Sequence, residues 1–302
     1  MSFCKKGFFR CLVLGLVACQ LQACSRGNSE SRANQSPEDQ AGASNDTNSE
    51  KQGTQTESQM DDLIIGGRTA TRKDEVTFTT VSLIDTEQGS LCTASILSET
   101  IAVTAAHCVE GRVEAMKLSF GINVSKNRFR QVQEVAVPEL WQRKNHHGYD
   151  ESVRDVNLDA EHDTGDIALV KFSGGLPPGY RPAAVMGNHK LVDGETVTLA
   201  GYGITNGSRD TGAGRLRLVD TQIKNANFSR SEVSIDQSHG KGACHGDSGG
   251  PAFITSPNGG YQLWGITSRG QGGPPDDCNG FAIYTKIKSY SKWINSVAKA
   301  WR

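Results

Sequence analysis

A serine at position 248 stands among glycines, in the run Gly246-Asp247-Ser248-Gly249-Gly250. With no side chains on its neighbours, the backbone there can bring N–H groups close to a substrate oxygen. A serine hydroxyl is a poor nucleophile near neutral pH and needs a base to take its proton, most often an imidazole. All 7 histidines precede Ser248, which excludes the α/β-hydrolase order, where the histidine comes last. The order acid, histidine, serine needs a carboxylate upstream of the base and a parallel sheet, for which the strand-rich pattern leaves little room. His107 closes the run Ile101-Ala-Val-Thr-Ala-Ala-His107, and on its own it would read more simply as a hydrogen-bonded core histidine. Asp166 opens Asp166-Ile-Ala-Leu169, an apolar stretch able to bury a carboxylate behind an imidazole, whereas Asp163, a rival acid, lacks that stretch. His146, His147 and His162 lie among acidic residues, a pattern better suited to a solvated loop than to a metal site.

The elements that must position these groups are short. Phe78–Ile84, Ser95–Leu97, Ile101–Thr104, Thr196–Ala200 and Tyr261–Thr267 are β-branched and apolar runs separated by turn signals. Such spacing argues for an all-β sandwich or barrel. Only 287–302 has apolar residues at helical intervals, at Tyr290, Trp293, Ile294, Val297 and Trp301. The adjacent prolines of Gly174-Gly-Leu-Pro-Pro-Gly179 would interrupt any ladder and mark the best break between two halves. With 32 basic and 33 acidic residues, the chain has no positive excess for a nucleic-acid backbone.

The segments Ile64-Ile-Gly-Gly67, Thr104-Ala-Ala-His-Cys108, Asp166-Ile-Ala-Leu169 and Cys244-His-Gly-Asp-Ser-Gly-Gly-Pro251 occur in that order, with Gly201-Tyr202-Gly203 and Ser268 at matching places. On these residues 64–302 resembles the chymotrypsin/trypsin family of serine proteases. The resemblance implies two six-stranded antiparallel β-barrels, 64–178 and 179–286, followed by a C-terminal α-helix, 287–302. It implies a serine endopeptidase without a cofactor, acting on protein or peptide substrates as a monomer. Ser248 would be the nucleophile, His107 the base and Asp166 its orienting acid, with backbone N–H groups of Gly246 and Ser248 forming an oxyanion hole. Ser268 would hydrogen-bond the carboxylate, and Ser268-Arg269-Gly270 would pair with substrate backbone as an added strand. Arg269 departs from the family pattern, which places an aromatic there. A catalytically silent homologue that only binds a partner, or an adhesin on the same fold, is the competing function; intact nucleophile, base and acid weigh against both.

Four cysteines in the body allow three pairings, and arithmetic alone selects none. The family pattern pairs Cys92 with Cys108 and Cys244 with Cys278, while a zinc site would want a Cys-x2-Cys element that is missing. By the same resemblance, cleavage between Leu63 and Ile64 would free an ammonium that inserts beside Asp247; the uncut chain would then have little activity. The activator would be another protease or the enzyme itself, since the bond follows an apolar residue. Trypsin-like members carry an acid six residues before the serine, where this chain has Gly242, then Ala243. With Gly270 and Ala282 on its walls, the pocket reads as open and apolar, suited to Leu, Phe, Tyr or Met.

The remaining cysteines sit at the N-terminus. Lys5, Lys6 and Arg10 precede the apolar run Cys11–Ala18, the order of a secretory signal spanning 1–24. Leu21-Gln-Ala-Cys24 resembles the lipobox of bacterial lipoproteins. Leu16-Val-Ala-Cys19 fits it slightly better residue by residue, whereas Cys24 gives the longer apolar core and meets the polar tail directly. An ordinary signal with incidental cysteines is the alternative. From Ser25 to Asp62 there is no Val, Ile, Leu, Phe, Trp or Tyr, and 3 basic residues face 8 acidic ones, so 25–63 is expected to be a disordered tether and propeptide. The protein would be exported, as a secreted enzyme or a periplasmic or outer-membrane lipoprotein. Without a cysteine in the tether, cutting at Leu63 would release the protease from a lipid anchor.

Overall fold

The computed structural model describes residues 64–125, 128–146, 163–272 and 278–302, with backbone alone for 144–146. Cys19, Cys24, the tether, Leu63, His147, His162 and the 273–277 stretch lie outside the described residues. Among the described residues, no helix is long and apolar enough to cross a membrane.

Strands β1 (Arg68–Thr69), β2 (Thr80–Asp85), β3 (Ser90–Ile96), β4 (Ile101–Thr104), β5 (Met116–Ser119), β6 (Phe129–Ala136) and β7 (Ala168–Phe172) come first. Helix α1 (Glu139–His146) lies between β6 and β7. Then follow β8 (Thr196–Gly201), β9 (Arg217–Asn225), β10 (Glu232–Asp236), β11 (Pro251–Thr255), β12 (Tyr261–Gln271), β13 (Phe281–Lys286) and helix α2 (Ser291–Ala300). The first barrel closes as β2-β3-β4-β7-β6-β5 and the second as β8-β9-β10-β13-β12-β11, every ladder antiparallel. Closure pairs every strand on both sides and removes the exposed edges that an open sheet would present.

The apolar runs around the candidate base and acid are buried on both faces. In β4, Ala102 faces the interior of its own barrel while Ile101 and Val103 join a cluster with Tyr202, Phe253, Leu263 and Ile266 of the second barrel. At β7 the same alternation sends Ala168, Val170 and Phe172 inward and Ile167 and Leu169 toward the other barrel. Helix α2 and its two flanking residues cover this shared core with Tyr290, Trp293, Ile294, Val297 and Trp301, the helical stripe visible in the sequence. A 3-10 turn, Ile287–Tyr290, leads into it, so the α-helix proper starts at Ser291 rather than at 287.

Two features differ from the sequence-based division. The N-terminal stretch pairs with the second barrel, through Arg68 opposite Leu218 and Thr69 opposite Arg217, whereas the sequence division 64–178 puts it in the first. A two-residue strand has no periodicity to read. Helix α1 was also not anticipated, because Trp141 is its main apolar anchor and a single anchor leaves no helical repeat to read.

The disulfides are Cys92–Cys108 and Cys244–Cys278, with Cα atoms 6.2 and 5.5 Å apart. The first joins β3 to the turn that carries His107, closing a separation of 16 residues. Replacing both Cys92 and Cys108 by Ala is expected to cost about 3 kcal/mol through loop-closure entropy, read as a lower guanidinium midpoint at unchanged slope.

Candidate active site

His107 lies in a short 3-10 turn, Ala106–Val109, directly after β4, and Asp166 lies just before β7. Since β4 and β7 are paired, with Thr104 opposite Ala168, the turn and the carboxylate emerge side by side. The Asp166 carboxylate is 4% exposed, and such a charge must be met by donors or protonate. It is met by four. Ala106 N and His107 N donate to Oδ1 at 2.7 and 3.1 Å, His107 Nδ1 lies 2.9 Å from Oδ2, and Ser268 Oγ donates to Oδ2 at 2.6 Å. Thr285 Oγ1 from β13 donates to the Asp166 backbone carbonyl at 3.0 Å. Burial pushes the Asp166 carboxyl up, but the hydrogen bond and charge of His107, then Ser268, outweigh it and leave the pKa below the ordinary value. For His107, burial pulls downward, and the hydrogen bond and charge of Asp166, then the charge of Glu110, raise the imidazole above its ordinary value. Nδ1 is thereby committed to the carboxylate and Nε2 is left to exchange a proton.

Ser248 comes from the second barrel and is held against the first. Thr93 N of β3 donates to the Ser248 carbonyl at 2.8 Å, and the Cys108 sulfur lies 3.7 Å from the same oxygen. Thr93 Oγ1 donates to the Gly246 carbonyl at 2.9 Å and accepts from Tyr202 N at 3.1 Å. Thr93 is therefore a fully buried strut between the barrels that the sequence motifs did not reveal, since a threonine in a strand carries no local sign of its cross-barrel partners. No hydrogen bond joins the Ser248 hydroxyl to His107 in this structure; such contacts commonly tighten only with substrate bound. Among the described residues the N–H groups of Gly246 and Ser248 donate to no protein acceptor. Gly246 has φ +92°, and a Cβ there would press on Gly203 Cα at 2.9 Å, so the residue that turns this N–H outward has to be glycine.

A cavity of about 400 Å³ opens beside Ser248, bounded by Ala243, Ser268, Arg269, Gly270 and Ala282. Its lining is not wholly apolar, unlike the open, apolar pocket that the sequence implies. The buried Gln237 lines it, its amide accepting from Ala243 N and donating to the carbonyls of Ala243 and Cys278 at 3.0 Å each. Gly242 is required here because a Cβ would collide with that amide. No carboxylate lines the cavity among the described residues.

Asp163, the rival acid, anchors the loop instead. It accepts from Ser229 Oγ at 2.6 Å, Ser231 N at 2.8 Å and Arg230 Nε at 3.2 Å, all from the second barrel. Asp247 is buried with Cys244 N and Gly203 N donating to it at 2.9 and 2.8 Å. Burial pushes its carboxyl up to about 6, against the pull of those two N–H groups and the Arg217 charge. Among the described residues, the two cysteine–histidine groupings close enough to share an ion contain sulfurs already joined as disulfides, which leaves those groupings no thiolate to bind a metal.

The trypsin family model matches residues 64–294. Among curated proteins the chain is 26% identical over 229 residues to a chymotrypsin of Phaedon cochleariae, covering 70% of this chain and 73% of that one. It is 27% identical over 253 residues to trypsin-3 of Salmo salar, covering 78% and 93%, and 27% identical over 246 residues to cathepsin G of Mus musculus, covering 76% and 84%.

A base must be neutral to accept a proton, so kcat/KM is expected to fall as pH drops through an apparent pKa above the free imidazole value of about 6.5. Asp166→Asn removes the charge and the carboxylate hydrogen bond that raise it most, leaving burial opposed only by the Glu110 charge; rate profiles against pH should show the inflection move down and the plateau drop by roughly 10³ to 10⁴-fold.

Proposed function

The chain belongs to the trypsin family of serine proteases, and from that premise we propose that it is an exported precursor, matured by cleavage between Leu63 and Ile64, that cuts peptide bonds after apolar side chains. The observation that carries the catalytic reading is the four-donor shell of Asp166, which leaves His107 oriented and polarised beside the Ser248 loop. Ser248 Oγ attacks the scissile carbonyl carbon as His107 Nε2 takes its proton. The carbonyl oxygen, now negative, accepts from the N–H groups of Gly246 and Ser248. The imidazolium then protonates the departing amine, the C–N bond breaks and an acyl-enzyme remains. Water repeats the sequence, with His107 again taking and returning a proton, and releases the new carboxyl terminus.

Several observations support maturation at Ile64. Its side chain is buried at 1% exposure in the core of the second barrel, and Ile65 O accepts from Gly242 N beside the cavity. Ile64 also has φ +30°, a conformation that costs a β-branched residue about 1 to 3 kcal/mol. Cutting the preceding bond removes that restriction and creates an ammonium. Among the described residues Asp247 has no ion-pair partner, and its raised pKa marks a carboxylate that a nearby cation would stabilise. The insertion of that cation would tighten the Gly246–Ser248 loop, which Asp247 shares.

The absence of a carboxylate among the described lining residues, with Gln237 and Ala243 beside Ser248, supports apolar specificity, because a Lys or Arg side chain would enter the cavity without a counter-charge. Cleavage at Leu63 by the enzyme itself follows from the same preference. Export rests on the charged-then-apolar N-terminus, with Cys24 as the proposed lipid site and release from the anchor upon maturation.

Protein cut to expose Ile64 is expected to hydrolyse Leu, Phe, Tyr or Met reporters at least about tenfold faster than Arg or Lys ones, a difference of about 1.4 kcal/mol. Acetylating the Ile64 amine should abolish that activity. Preference for Arg reporters refutes the pocket assignment, and full activity after acetylation refutes the ammonium step.

A further inference from the structure

Arg269 occupies the middle of the Ser268-Arg269-Gly270 edge along which substrate is expected to lie. Its guanidinium is 34% exposed and makes two parallel bonds to Glu232 of β10: Nη1 to Oε1 and Nη2 to Oε2, each 2.9 Å. The Glu232 carboxylate is 0% exposed, and its Oε1 also accepts from Thr164 Oγ1 at 2.8 Å and Thr164 N at 3.3 Å. Nη1 lies 3.4 Å from both Thr164 Oγ1 and Ser268 Oγ. The side chain thus reaches past Ser268 to Thr164, two residues before Asp166, and to Glu232 of β10.

An arginine has five N–H donors in one plane. Here the two Nη1 donors face Glu232 and the Thr164–Ser268 hydroxyls, and one Nη2 donor faces Glu232. Nε–H and the second Nη2–H have no partner among the described residues. In a guanidinium these two point the same way, because Nη2 is the nitrogen trans to Cδ. They form a side-on fork of the geometry that carboxylates fill bidentately. Glu232 fixes the plane of the fork and holds it rigid, while its own charge stays beneath the surface and the exposed face is cationic.

We propose that Arg269, set by Glu232, is a specificity-determining residue that binds an acidic side chain of the substrate upstream of the residue filling the cavity. This rests on the protease reading above and adds a second criterion to it: an apolar residue before the cut, preceded by Glu or Asp on the Arg269 side. Lysine could not substitute, since it supplies the charge without the planar fork.

The test uses full-length protein matured at Ile64 and peptides with Leu before the scissile bond and Glu or Gln placed at one upstream position at a time. At one such position kcat/KM is expected to be about fivefold or more higher for Glu than for Gln, a gap of roughly 1 kcal/mol suited to a partly exposed charge-assisted pair, and to shrink with added salt. Arg269→Met leaves Glu232 uncompensated and should bring the Glu/Gln ratio to one or below. If that variant misfolds, the paired change E232M with R269M replaces both charges with apolar groups and should give a ratio of about one. Equal rates for Glu and Gln at every upstream position, or an undiminished ratio in either variant, overturn the fork while leaving the hydrolase intact. Loss of turnover on every peptide by the matured wild-type protein overturns both.

Discussion

The buried carboxylate of Asp166 is the constraint around which the two barrels are arranged. Desolvating an unpaired carboxylate costs far more than the margin by which a domain is stable, so its oxygens must find donors. The first barrel supplies Ala106 N, His107 N and His107 Nδ1, and the second supplies Ser268 Oγ. Neither barrel alone satisfies the charge. Any sliding of one barrel against the other would break a bond to a group that has no water to replace it. Thr285 on the backbone carbonyl, Asp163 on the 229–231 loop and Thr164 on Glu232 pin the same loop from the second barrel.

Packing enforces the same geometry by apolar means. Strands β4 and β7 are hydrophobic on both faces because each forms part of its own barrel core and part of the core between barrels. That arrangement carries the ends of the two strands, where His107 and Asp166 sit, to the seam where Ser248 arrives. Thr93 completes the seam with both its backbone and its hydroxyl. The placement of His107 and Asp166 is therefore a consequence of how the cores meet rather than of the loops alone.

What could be read from the sequence was what is local. Glycines around Ser248, the apolar run behind Asp166 and the helical stripe ending at Trp301 each carry their meaning within a few residues. The resemblance to a known family then joined them and gave the disulfide pairing, which arithmetic could not. The unread parts are non-local. Gln237 reaches Ala243 and Cys278, Glu232 reaches Arg269 and Thr164, and β1 crosses to Leu218, none of which leaves a periodicity or a spacing. Arg269 was visible as a departure from pattern, but its partner was not, because a buried glutamate in a strand looks like any other until the fold places a guanidinium over it. Asp163 and Asp166 were separable only weakly from sequence; their different donor sets separate them plainly in the structure.

The central claim is that the carboxylate, imidazole and hydroxyl act as one proton-transferring unit across the seam. Its most direct test is the rate at which a fluorophosphonate modifies the matured protein, with the adduct mapped by peptide mass spectrometry, beside the His107→Ala variant. The expected result is a single adduct on Ser248, formed roughly a thousandfold more slowly when the imidazole is removed. Modification of a different residue, or the same rate at Ser248 with and without His107, would contradict it.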